Sequence, residues 1–129
     1  MFRVDEDLTI HATRGDAAAI LIQAAAGEEN YIFQPGNVVR LKVFAKKNCE
    51  NVVLQKEVKV TEETETVEIA LTGEDTRFGE VISKPVDYWY EVELNPETYP
   101  QTIIGYDENG AKVFKLYPEG DSEAKEEKV

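Results

Sequence analysis

Cysteine, histidine and tryptophan each occur once in the 129 residues, as Cys49, His11 and Trp89. A single cysteine closes no intrachain disulfide, so the covalent framework of small secreted domains does not apply. One His and one Cys also fall short of the ligand number that a zinc site needs. No run of about 18 apolar residues is present to form a spanning helix. The start, Met1 to Ile10, carries no apolar leader. The longest stretch of low polarity, Ala17 to Ala26, contains Gln23 and stops at Gly27. A soluble protein made in the cytoplasm, without membrane insertion, is the expectation.

Basic residues are scarce as well: 14 Lys and Arg stand against 26 Asp and Glu, for a net charge of −12. Binding to a phosphate backbone depends on cations that displace counterions, so nucleic acid is not an expected partner. The nearest basic candidate, Lys46-Lys47, is too small to change that. The chain is long enough to bury a core in one domain without a metal or a bridge.

What the sequence does contain is period-two alternation bounded by turn residues. Leu8, Ile10 and Ala12 alternate with Thr9 and His11, and Thr13 to Asp16 then turn the chain. Ala18, Ile20, Ile22 and Ala24 resume the period, which predicts a strand although alanine also tolerates a helix. This segment forms either a hairpin or a corner between sheets. Gln34-Pro35-Gly36-Asn37 marks the turn into a strand over Val38 to Ala45. There Val39, Leu41 and Val43 share one face, and Val38, Arg40, Lys42 and Phe44 the other.

Strands follow over Val52 to Val60 and Thr66 to Leu71. Thr72 and Asp75 are spaced to cap one helical turn. Tyr88, Tyr90, Val92 and Leu94 then alternate with Trp89, Glu91 and Glu93. Thr102 to Tyr106 and Ala111 to Tyr117, joined by a turn at Asp107-Glu108-Asn109-Gly110, are expected to form a terminal hairpin.

About eight short strands with regular turn signals predict an all-β fold, an antiparallel two-sheet sandwich of immunoglobulin-like or Greek-key arrangement. One short helical turn accompanies them. The domain is expected over 1–118, with 119–129 an acidic disordered tail.

Candidate chemistry is sparse, so no enzyme activity and no cofactor or metal is expected. His11 reads as a surface or interface histidine, because no local residue is placed as its nucleophile or orienting partner. Cys49 lies in a polar loop where Lys46 and Lys47 favour its thiolate slightly and Glu50 opposes them. The acidic groups Asp5-Glu6-Asp7, Glu62-Glu63-Glu65 and Asp107-Glu108-Asn109 lack the spacing of a calcium loop. Glu91 and Glu93 leave one strand on the same face beside Trp89, a pattern compatible with a carbohydrate-binding sandwich as the alternative reading. Arg14-Gly15-Asp16 reads as a structural turn rather than an adhesion motif.

The order of TRGDAA (Thr13 to Ala18), TGEDT (Thr72 to Thr76), YWYEVEL (Tyr88 to Leu94) and QTIIG (Gln101 to Gly105) resembles the N-terminal β-sandwich domain of phage baseplate upper proteins. The similarity covers most of Leu8 to Tyr117. It implies a virion building block that joins an oligomeric tail or adhesion assembly, and it brings no catalytic residue. The chain departs from the larger family arrangement in having one domain, which favours a small adaptor. The expected partners are phage tail or baseplate proteins, with homo-oligomerisation as a further arrangement. The expected location is the host-cell cytoplasm during synthesis and the virion tail after assembly. Val38, Phe44 and Trp89 are the candidate interface residues, and Arg14, Gly15, Asp16, Gly36, Asn109 and Gly110 the structural turn residues.

Overall fold

The computed structural model describes residues 1–119. In chain order the strands are β1 (Phe2–Val4), β2 (Ile10–Thr13), β3 (Ala18–Ile22), β4 (Ala25–Ala26), β5 (Glu29–Asn30) and β6 (Val38–Lys46). They continue with β7 (Glu50–Lys59), β8 (Val67–Leu71), β9 (Val86–Leu94), β10 (Gln101–Ile104) and β11 (Lys112–Tyr117). A single 3-10 turn, Asp75–Arg77, separates β8 from β9. The protein is all-β. Of the expected acidic tail, residues 120–129 lie outside the described residues.

Two layers form because each strand has one apolar face to hide. The larger layer has seven strands in the order β1-β2-β11-β9-β6-β7, with β10 also bonded to β9. The smaller layer is the β3–β8 pair, and β4 and β5 make a separate short hairpin. Val39, Leu41 and Val43 of β6 and Tyr88, Tyr90, Val92 and Leu94 of β9 turn inward, as their alternation predicts. They meet Ile20 and Ile22 of β3 and Val67, Ile69 and Leu71 of β8 in one core cluster with Phe33 and Phe114. Full burial stabilises each such side chain by roughly 1.5–3 kcal/mol relative to exposure.

Ala18–Ile22 is a strand, and the preceding turn is a corner: β2 belongs to the large sheet and β3 to the small one. Thr72 and Asp75 make the expected reciprocal bonds, but the 3-10 turn starts at Asp75 and its N-cap, Glu74, makes no side-chain cap. The Asp75 N–H donates to Thr72 Oγ1 at 3.0 Å, and the Thr72 N–H donates to Asp75 Oδ2 at 2.8 Å.

Two expectations are corrected. β10 and β11 do not form a terminal hairpin, because both pair antiparallel with β9, β10 along Val92 to Leu94 and β11 along Val86 to Tyr90. They follow one another down the same edge, and the Asp107–Gly110 turn is an excursion between them. The large sheet is also not purely antiparallel, since β11 runs parallel to β2 from Phe114↔Ile10 to Tyr117↔Thr13. Among the described residues no helix is long and apolar enough to cross a membrane.

Candidate functional site

On the solvent side of the large sheet an apolar row crosses four strands. Antiparallel register sets Val113 of β11 beside Trp89 of β9, Trp89 beside Phe44 of β6, and Phe44 beside Val52 of β7. A register shift between Val43 and Phe44 brings Val52 into the row. Trp89 and Val113 are half-buried and Val52 is 50% exposed.

Phe44, expected as an exposed contact, is only 3% exposed. It stands outside the inner core cluster, so its cover comes from the outer-face neighbours on either side. Val38, the third candidate, sits at the opposite end of β6 against Lys59, away from this row. Charged pairs border the row: Lys115–Asp87 at 3.7 Å on one side and Lys42–Glu93 at 3.8 Å on the other. Farther along, Arg40 reaches Glu57 and Glu97, both at 2.9 Å.

Glu91 shares this face. Burial first, and then the charge of Glu93, raise its carboxyl above the ordinary range while Lys42 pulls it down. Both carboxylates are partly buried, and Glu93 Oε1 is fully covered without a hydrogen-bond partner among the described residues. The Cys49 thiol is pushed up by partial burial and by Glu91, which reverses the expectation that the neighbouring lysines favour its thiolate.

His11 has partners that local sequence did not indicate. Its Nε2 lies 2.8 Å from Asp5 Oδ2 and its Nδ1 2.8 Å from Tyr117 Oη. With Asp5 ionised, Nε2 donates to the carboxylate, and a neutral ring accepts the phenol proton at Nδ1. The hydrogen bond to His11 is the largest influence holding the Asp5 carboxyl below its usual value, aided by Arg3. Both ring nitrogens are thereby engaged, and the histidine, 8% exposed, ties the β1–β2 turn to β11. Tyr117 is 106 residues away in sequence, so only the parallel β2–β11 pairing reveals the contact.

The expected turn residues form a second constellation. Gly15 has φ +91°, a conformation that favours glycine, and its N–H donates to Thr76 Oγ1 at 2.9 Å. Thr76, fully buried, returns its hydroxyl proton toward the Asp16 and Gly73 carbonyls at 2.8 and 3.1 Å. A Cβ on Gly73 would lie 2.6 Å from the Gly15 carbonyl oxygen. Arg14 donates from Nη2 to the Arg77 carbonyl at 2.9 Å. The Thr13–Ala18 and Thr72–Thr76 motifs, far apart in sequence, are therefore two halves of one packed knot.

At the other turns, Gly36 (φ +96°) donates to the Val60 carbonyl at 2.9 Å, and Gly110 (φ +98°) donates to that of Asp107 at 2.9 Å. The Asn109 N–H donates to Asp107 Oδ1 at 2.8 Å. Asp107 also takes Lys112 Nζ at 2.7 Å. No protein-family model, curated protein or solved structure matches this chain.

Proposed function

We propose that this chain is a structural adaptor that works by protein–protein assembly in a phage or prophage tail, through the outer face of its large sheet. The observation that carries the reading is the row Val113, Trp89, Phe44 and Val52, apolar across four strands and bordered by Lys115–Asp87 and Lys42–Glu93. An apolar centre with a charged rim is the anatomy of a protein interface. The strands hold these side chains at fixed spacing, which suits a rigid building block.

The tail setting rests on the resemblance of the ordered motifs to baseplate upper-protein domains. The packing of two of those motifs, Thr13–Ala18 and Thr72–Thr76, into one knot supports treating them as a unit. The adaptor is expected to co-sediment with tail particles from cells that make both. Val52→Glu should abolish co-sedimentation, and Trp89→Ala should weaken it, with unchanged circular dichroism. A chain that stays in the low-mass fraction, or a Val52→Glu variant that joins the particles normally, overturns the proposal.

A further inference from the structure

The two layers differ in width, and the mismatch leaves one flank open. Among the described residues β3 is bonded to β8 on one side only, and β1 ends the large sheet. Between them runs a groove of roughly 270 Å³ lined by Phe2, Val4, Leu8, Ile10, Leu21 and Tyr90, among others. A second cavity of roughly 470 Å³ shares Leu8, Leu21 and Ile104 with it and adds Gln23 and Thr66. Both cavities are predominantly apolar, with Gln23 and Thr66 as the polar side chains of the second. Val4 and Leu21 remain exposed, Leu21 by 65%.

An unpaired strand edge invites another strand, and proteins ordinarily guard such edges with charge or proline. The β7 edge follows that rule with Glu50, Lys56, Glu57 and Lys59. The β3 edge does not, since Ala17 to Ala26 contains no charged residue and no proline. Leu8, which lines both cavities, has φ +71°, a left-handed conformation that costs a branched residue about 1–2 kcal/mol. The turn between β1 and β2 holds Leu8 there: its N–H donates to the Asp5 carbonyl at 2.9 Å, and its carbonyl accepts from Tyr90 Oη at 2.6 Å.

The rim supplies a sign. Glu6 and Asp7 immediately precede Leu8, and Glu68 is the cross-strand neighbour of Leu21, whereas Asp5 is already paired with Arg3 and His11. Among the described residues no Lys or Arg lines either cavity. We infer that the free edge of β3 accepts an extended peptide segment of a partner protein, apolar at alternate positions and flanked by Lys or Arg. Its backbone extends the β8–β3 sheet, and its alternate side chains enter the groove against Phe2, Val4 and Leu8. A second copy fits less well, because a two-fold β3 pairing brings together two acidic rims on chains of net charge −12 each. This site is separate from the outer-face row and does not depend on it.

The test uses the full chain and a panel of heptapeptides with valine at the second, fourth and sixth positions and Lys, Ser or Glu at both ends. The Lys-flanked peptides should bind at least tenfold tighter than the Glu-flanked ones and slow hydrogen exchange in β3. Leu21→Lys, at a position mostly in solvent, should reduce that binding at least tenfold, and Glu68→Lys should shrink the preference for Lys flanks. Val52→Glu should leave it unchanged, which separates this site from the assembly face. Equal binding of Lys and Glu peptides, no binding across the panel, indifference to Leu21→Lys, or β3 protection that appears only with self-association each overturns the inference.

Discussion

Where β7 meets β8 the two layers are joined by chain and by charge, whereas between β1 and β3 they part around an apolar groove. On the joined flank Phe33 and Thr64 exchange backbone hydrogen bonds at 2.7 and 3.1 Å, and Gly36 donates to Val60. Lys56 of β7 reaches Asp75 beside the 3-10 turn at 3.0 Å. On the parted flank a two-stranded layer is too narrow to cover the inward side chains of β1. The same sandwich therefore spends one side on its own stability and keeps the other available.

The contrast is most sharply broken by truncating one apolar side chain on each flank. Phe33→Ala, at a fully buried position on the joined flank, should cost about 3–5 kcal/mol in urea unfolding. Val4→Ala, on the parted flank, should cost under about 1 kcal/mol because its side chain is already half in water. Comparable losses at the two positions would erase the distinction.

The knot at Gly15 offers an intermediate effect. Thr76→Val leaves the Gly15 N–H without its acceptor and should cost about 1–3 kcal/mol, whereas Thr76→Ser should restore most of it. Thermal melts of the two variants distinguish loss of the hydroxyl from loss of volume.

Titration probes both flanks at smaller amplitude. Asp75, held below its usual 3.8 chiefly by the Thr72 backbone N–H and also by Lys56, marks the joined flank. Asp5, held below the same value chiefly by His11, marks the parted one. A depressed carboxyl contributes stability that is complete above its unfolded value and fades as pH falls through the folded one. The melting temperature should therefore drop below about pH 4, and Asp75→Asn and Asp5→Asn should each flatten that acid limb. Tyr90 acts at the other extreme, since burial raises its phenol. Its contribution is complete below the ordinary value of 10.0 and is lost as pH climbs toward the higher folded one. An acid limb unchanged by both Asn substitutions would show that these bonds do not report on the flanks.

The smallest effect belongs to Leu21→Lys. It should change stability by less than about 0.5 kcal/mol, because the side chain is mostly solvated.

Strands were legible wherever one face is apolar at period two. β6, β8 and β9 run as Val39, Ile69 and Tyr90 and their alternate neighbours predict, and the reciprocal Thr72–Asp75 bonds are local chemistry that spacing alone reveals. Pairing was not legible, because alternation says which way a side chain points but not which strand lies beside it. That is why β10 and β11 read as a hairpin, and why Tyr117 could not be assigned to His11. Phe44 was placed on the correct outer face, yet its burial depends on Trp89 and Val52, which reach it only through the register of two other strands. The groove was invisible for a different reason: it arises from the unequal widths of two layers, a property of the assembled sandwich and of no single segment.

The position of β11 has a consequence for biosynthesis. Among the described residues it follows every other strand in chain order, yet it lies between β2 and β9 in the large sheet. As the chain leaves the ribosome from its amino end, β9, β6 and β7 can zip together while β1 and β2 wait with no neighbour but each other. The sheet is continuous only with Lys112–Tyr117 in that gap, so this short, late-made strand is what joins the β1–β2 pair to the rest of the sheet.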